Sequence, residues 1–228
     1  MGSAFHKAVE LWYQGRNLTA NALFALVPQA WREVMARSRV SPDVSQKTTQ
    51  YHGQIAEMLQ TFFASQRATD ELREPMGVEK KFEIEWPTKV FGKDVMIVLN
   101  GFIDRIMGSS DGKEAWITDW KTQKDMPTQA EVDNNHQLTF YAAAYRWLSK
   151  KKADGSWPKM ERYVELYFPR HGKSIYSTRS KPQFDELKSL LVKAVEIELT
   201  PDPVAKPTED NCRYCDYFGT NHCPATKK

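Results

Sequence analysis

Along the first 70 residues, apolar side chains recur at intervals of three and four. Phe5, Val9, Leu11 and Trp12 form one such set, and Leu23, Leu26, Val27, Ala30, Trp31 and Val34 form another. Ile55, Met58, Leu59, Phe62 and Phe63 predict a further helix over about 48–67. The period then falls to two. Val78, Lys80, Phe82, Ile84 and Trp86 alternate with Glu79, Lys81, Glu83 and Glu85, the pattern of a strand with one polar face. Further strands are predicted over 95–107 and 114–121. The helical period returns over 129–150 through Leu138, Tyr141, Ala142, Tyr145 and Leu148. Residues 162–168 read as a strand with a partner at 174–178, and Pro182 opens a helix reaching about residue 199. This order predicts an α/β fold, a mixed central sheet flanked by helices. One domain would span 1–200, with a helical part at 1–70 and a core at 77–200. A Pro-rich linker and a cysteine segment would fill 201–228.

The segment GFIDRIMGSSDGKEAWITDWKT, residues 101–122, carries the most chemistry. Asp111-Gly112 is a two-residue hairpin signal, because a type I′ turn needs φ > 0 at both central positions. With that turn Ser110 pairs with Lys113, and every pair of opposed numbers sums to 223. Asp104 then lies opposite Asp119, and Lys121 shares the face of Asp119, since side chains alternate along a strand. Opposed carboxylates repel. A divalent cation between them converts the liability into a site, and carboxylates suit Mg²⁺ or Mn²⁺. Lys121 is placed to orient an attacking water or to offset charge developing on a phosphate. A lone D-x-K triplet is common on solvated strands. Here Ile106 and Ile117 share the face, so the two aspartates sit on a partly apolar surface, where unpaired charge is costly.

Composition narrows the function classes. With 228 residues, 41% hydrophobic and 27% charged, the chain is an ordinary globular one. A net charge of +3 is compatible with nucleic acid without requiring it. Seven Trp and nine Tyr supply rings for a core or for stacking on bases. No run matches GxxxxGK[ST], so no P-loop motor is encoded. No apolar run reaches membrane-span length and no signal pattern opens the chain, which predicts a soluble, cytoplasmic protein. The three cysteines all lie between Cys212 and Cys223, a spacing that suggests a metal or cluster site in a reducing compartment.

GFIDRI, a turn, and ITDWKT together resemble the PD-(D/E)XK nuclease superfamily, in particular its RecB-type branch. That branch includes the AddB nuclease domain and CRISPR-associated iron–sulfur exonucleases. Other blocks fall in matching order. GSAFHKAVE at 2–10 resembles the branch's early helix with a metal-binding His, which falls on His6. VEKKFEI at 78–84 resembles its strand with a leading Glu, at Glu79. QLTFYAAAY at 137–145 resembles its helix bearing a Gln and a Tyr, at Gln137 and Tyr141. Ile103 stands where the superfamily's name has Pro. The resemblance implies a restriction-endonuclease-like core that hydrolyses DNA with Mg²⁺ or Mn²⁺. His6, Glu79, Asp104 and Asp119 would be metal ligands, Lys121 catalytic, and Gln137 and Tyr141 substrate-binding or ordering residues. It implies an exonuclease acting on single strands or DNA ends, in recombination, repair, phage replication or CRISPR adaptation, alongside a helicase, recombination or CRISPR partner.

Each supporting residue also has a plainer role open to it. His6 and Glu10 are four apart and could simply contact each other on a helix surface. Glu79 has Glu83 and Glu85 for company on a solvated face, and Tyr141 fits an apolar stripe. Lys124, Arg105 and Arg146 are candidates for contacts with the DNA backbone. CRYCDYFGTNHCP resembles the branch's C-terminal iron–sulfur segment, so Cys212, Cys215 and Cys223 would bind a [4Fe-4S] cluster. In that pattern a fourth Cys precedes the early helix, and none exists here. The chain is then a truncated version of a longer one, or the fourth ligand is another group (His222 is nearest, and would also permit zinc), or the cluster is lost. From a different class, a non-catalytic DNA-binding or cluster-bearing subunit with an incomplete site also fits. A sequence-specific endonuclease is a further enzymatic alternative, although no target-recognition module is visible.

Overall fold

A computed structural model describes residues 1–15, 18–37, 44, 46–70, 72–149, 160–201, 208–213, 215, 217–220 and 223. Among the described residues the chain opens with helices α1 (Gly2–Gln14), α2 (Ala20–Ala25), α3 (Val27–Arg37) and α4 (Thr48–Asp70). Strands β1 (Arg73–Val90), β2 (Lys93–Ser109) and β3 (Glu114–Trp120) follow, then α5 (Gln129–Asp133) and α6 (His136–Leu148). The chain continues through β4 (Glu161–Phe168), β5 (Lys173–Ser177), α7 (Lys181–Glu198) and α8 (Glu209–Arg213). The five strands form one sheet in the order β1-β2-β3-β4-β5. β2 and β3 run antiparallel, β3 and β4 parallel, and β4 and β5 antiparallel. A parallel pair needs a crossover, and α5 and α6 supply it between β3 and β4. The α/β architecture with a mixed sheet flanked by helices is the one predicted.

The chain divides into two compact units, Met1–Trp86 with Met96–Leu187, and Pro87–Val95 with Lys188–Lys228. In the first unit both sheet faces are covered. Trp120 and Tyr167 pack with Phe5, Trp12, Leu59 and Phe62 of α1 and α4 in one core. Ile106, Ile117, Val164 and Leu166 pack with Val132, Leu138 and Ala142 of α5 and α6 in the other. Alternation along β3 and β4 sorts residues to the two cores, and the register sets Ile117 beside Val164 and Trp120 beside Tyr167. The second unit holds the tip of the β1–β2 hairpin and the end of α7 with α8. Phe91 (φ 50°) and Gly92 (φ 75°) both take the left-handed conformation at that tip, the requirement of a type I′ turn. Among the described residues no helix is long and apolar enough to cross a membrane.

Three sequence expectations are revised. The β2–β3 connection is not a two-residue type I′ turn, because of its residues only Gly112 has positive φ (68°). It is a four-residue loop over 110–113, closed by Gly112 N–H donating to Ser109 O (2.9 Å) and Glu114 N–H donating to Ser109 Oγ (2.9 Å). Both connections share one centre, so the register still sums to 223, with Arg105 opposite Thr118 and Ile106 opposite Ile117. The single helix expected over 129–150 is broken. The Asn135 side chain accepts the Leu138 N–H and starts α6 anew, while a Thr128–Glu131 capping box starts α5. Arg105 is fully buried, in an ion pair with Glu165 at 3.7 Å, and so is no contact for DNA.

Candidate active site

β2 and β3 deliver the two aspartates. The β2–β3 ladder ends at Arg105–Thr118, and one step further the Asp104 side chain takes over, its Oδ2 accepting the Trp120 backbone N–H at 2.6 Å. Asp104 and Asp119 are only 6% and 3% exposed, a degree of burial that two like charges accept only with a compensating cation.

Glu79 reaches the same place through a backbone irregularity. It has φ 46°, unusual for a residue with a Cβ, and the strand changes faces there: Val78 packs on the Trp120 core, Phe82 and Ile84 on the other. Glu79 thereby leaves the row of Glu83 and Glu85 and comes within 3.5 Å of His6 Nδ1. His6 projects from α1. Its Nδ1 lies 3.4 Å from Asp104 Oδ1, and its Nε2 is 3.0 Å from the Trp120 carbonyl oxygen. A carbonyl can only accept, so Nε2 carries hydrogen and Nδ1 is the nitrogen turned toward the carboxylates. Ligand atoms of His6, Glu79 and Asp104 all lie within 4.8 Å of one another.

On the other side of the site, Lys121 Nζ is 2.7 Å from Asp119 Oδ2 and donates to Gln137 Oε1 at 2.8 Å. Gln137 Nε2 lies 3.1 Å from Asp119 Oδ1 and 3.0 Å from the Tyr141 hydroxyl. Gln137 and Tyr141, one turn apart on α6, thus bridge the helix to the end of β3. The six residues His6, Asp104, Asp119, Lys121, Gln137 and Tyr141 converge with Glu79 on one cleft of about 830 Å³. Its further wall includes Ser3, Lys7, Val34 and Arg37, none of them a site residue predicted from the sequence. Lys7 there is paired with Glu10 (2.9 Å) and Glu33 (3.4 Å). The Trp120 carbonyl was equally invisible, because a main-chain atom leaves no mark in the residue pattern.

The electrostatics are those of crowded carboxylates. Burial opposes charge on the His6 imidazole, but its hydrogen bonds to Asp104 and Glu79 outweigh that and raise its pKa to about 10. Burial, aided by the charge of Asp104, pushes Asp119 up to about 6 against the pull of Lys121 and His6. Burial and the two aspartates hold the Tyr141 hydroxyl above its ordinary range. Asp119 Oδ2 is buried and accepts no aligned hydrogen bond, its close neighbour being the Lys121 ammonium. One imidazole nitrogen, several carboxylates and a lone pair without a directed donor suit a hard divalent ion, and Mn²⁺ tolerates the nitrogen well.

Cys212 is half-buried, Cys215 exposed and Cys223 buried. Among the described residues, His6–Glu79–Asp104 is the one metal-competent group at this spacing, and it includes no thiol. His222 lies outside the described residues.

The profile of the PD-(D/E)XK nuclease superfamily matches residues 1–220, and the chain belongs to that superfamily. It is therefore a nuclease by family, a phosphodiester hydrolase of a group that uses divalent metals. No curated protein matches. One solved structure, "Crystal structure of SSO0001", is similar over 100% of this chain and 85% of its own, at 14% identity and a TM-score of 0.43. That likeness is too distant to carry function.

Proposed function

We propose that the protein is a Mg²⁺- or Mn²⁺-dependent deoxyribonuclease, an exonuclease acting on single-stranded DNA or DNA ends. The observation that carries this reading is the convergence of His6, Glu79 and Asp104 with the Asp119–Lys121 pair in one open cleft. A divalent ion held by His6, Glu79, Asp104 and Asp119 would polarise a phosphate oxygen and acidify a bound water. Lys121 is within reach of that position and supplies positive charge where negative charge grows. Gln137 orients Lys121 and Asp119 together, and Tyr141 bounds the place for the scissile nucleotide. The clustered cysteines fit a cytoplasmic protein whose Cys212, Cys215 and Cys223 bind an iron–sulfur cluster completed by a ligand beyond this set. RecB-type blocks point to work beside a helicase, recombination or CRISPR partner.

The test is incubation with end-labelled single- and double-stranded DNA in Mn²⁺, Mg²⁺ or EDTA, beside Asp119→Ala and Lys121→Ala. Metal-dependent shortening from one end, abolished in both variants, is the expected result. Internal cuts would leave a nuclease of another mode. DNA binding without cleavage by the wild type would instead support a non-catalytic subunit.

A further inference from the structure

The four acidic and imidazole side chains of the site are not equivalent. His6, Glu79 and Asp104 already face one another within 4.8 Å, while Asp119 falls outside that group. Asp119 is engaged elsewhere: its Oδ2 is in contact with Lys121 Nζ at 2.7 Å, and its Oδ1 accepts Gln137 Nε2 at 3.1 Å. Gln137 holds both partners, since its Oε1 accepts from the same ammonium at 2.8 Å. Lys121 is well placed to be this tether. Its own backbone N–H is fixed to Tyr167 O at 2.8 Å, and its side chain is 28% exposed against 4% for that of Asp119. The ammonium therefore sits at the mouth, over a buried carboxylate oxygen that accepts no aligned hydrogen bond.

From this geometry we infer that the metal seat assembles in two stages: His6, Glu79 and Asp104 form a standing three-ligand seat, and Lys121 withholds Asp119 until its ammonium is drawn away. The inference rests on the nuclease reading and adds an order to it. A cation and an ammonium compete for one carboxylate, so the lysine needed for chemistry is also a brake on completing the site. Among the described residues the carboxylate has no alternative cationic partner as close, and Gln137 keeps the pair in register in the meantime.

The test is metal binding with no DNA present. Mn²⁺ affinity is measured by calorimetry, and bound Tb³⁺ is examined by its luminescence lifetime in H₂O and D₂O, which counts the waters on the ion. Variants are Asp104→Asn, Asp119→Asn, Lys121→Met, Lys121→Gln and the pair Lys121→Met/Asp119→Asn, each checked for an intact melting transition. Asp104→Asn should weaken Mn²⁺ binding strongly, and Asp119→Asn alone should change it by about twofold or less. Both Lys121 variants should tighten it by roughly tenfold, the scale of coupling between contacting residues, and lose one water from Tb³⁺. The double variant should return to wild-type affinity and hydration.

Two results would overturn the inference. One is Asp119→Asn weakening binding as much as Asp104→Asn. The other is tighter binding in Lys121→Met that keeps the water count and survives Asp119→Asn, which is what a general charge effect would give. Absence of saturable Mn²⁺ binding in the wild type would remove the seat itself, and with it the nuclease reading.

Discussion

Glu165→Ala should be among the most damaging single substitutions in the protein, although it lies on the sheet face away from α6. Glu165 and Arg105 are both 0% exposed, and their charged groups approach to 3.7 Å. Glu165 also accepts from Thr118 Oγ1 at 2.5 Å and from Ser174 Oγ, while Arg105 donates to Gln66 and, at 3.3 Å, to the Tyr13 hydroxyl. At that separation the attraction is about 4–5 kcal/mol for an effective dielectric constant of about 20. The alanine variant removes this counter-charge from a fully buried guanidinium, and removal of one partner from a buried pair costs about 3–5 kcal/mol. Against a total stability of about 5–15 kcal/mol, that is a large fraction. Urea unfolding followed by circular dichroism measures it as a shift of the midpoint at constant slope. The double variant Arg105→Met/Glu165→Leu, which removes both charges and keeps the volume, should recover most of the loss. A cost below about 1 kcal/mol for Glu165→Ala would refute the reasoning, as would a double variant no more stable than the single one. Activity should fall as well, since Arg105 and Thr118 are the last ladder pair before Asp104 and Asp119.

Metal binding should tighten as pH rises, because protons on His6 (about 10) and Asp119 (about 6) compete with the cation. Calorimetry in buffers of different ionisation enthalpy should detect proton release near neutral pH, and none would place His6 outside the ligand set. Without metal the sign for stability is the reverse. His6 holds its proton more tightly folded than unfolded, so its contribution is full below about 6.5 and drains away up to about 10. Asp119, raised from 3.8 to about 6, likewise loses stability as pH climbs through that window. EDTA-treated protein should therefore melt progressively lower between pH 6 and pH 9, about where the His6 window lies, and Mn²⁺ should reverse the trend. Gly101→Ala places a Cβ 2.8 Å from the Phe82 ring, which packs edge-on to Phe140 and Tyr141. It should cost about 1–3 kcal/mol in a thermal melt and slow cleavage by shifting Tyr141. Asn135→Ala removes the cap of α6 and should cost about 1 kcal/mol, with a rise in KM if α6 positions substrate.

The sequence by itself determined the order of elements and the pairing that opposes Asp104 to Asp119. Both rest on local rules, the period of apolar positions and the centre of the loop at Asp111 and Gly112. The register was robust even to a wrong turn type, because a loop lengthened symmetrically leaves the sum of paired numbers unchanged. Capping chemistry at Asn135 was also legible in principle, from the Asn-Asn pair inside an otherwise continuous helical period.

Tertiary structure alone decided the rest of the site. Strict alternation puts Glu79 with Glu83 and Glu85, and only a left-handed backbone step turns it toward His6. Such a step is unfavourable locally and persists where surrounding contacts over-determine it. Arg105 looked like a surface cation because nothing nearby in the chain announces Glu165, 60 residues away on β4, as its partner. Which nitrogen of His6 faces the carboxylates is selected by the Trp120 carbonyl, 114 positions along the chain. Periodicity reports which face a side chain takes. Which charge meets which across the fold is set by long-range packing, and the chemistry of this site depends on those meetings.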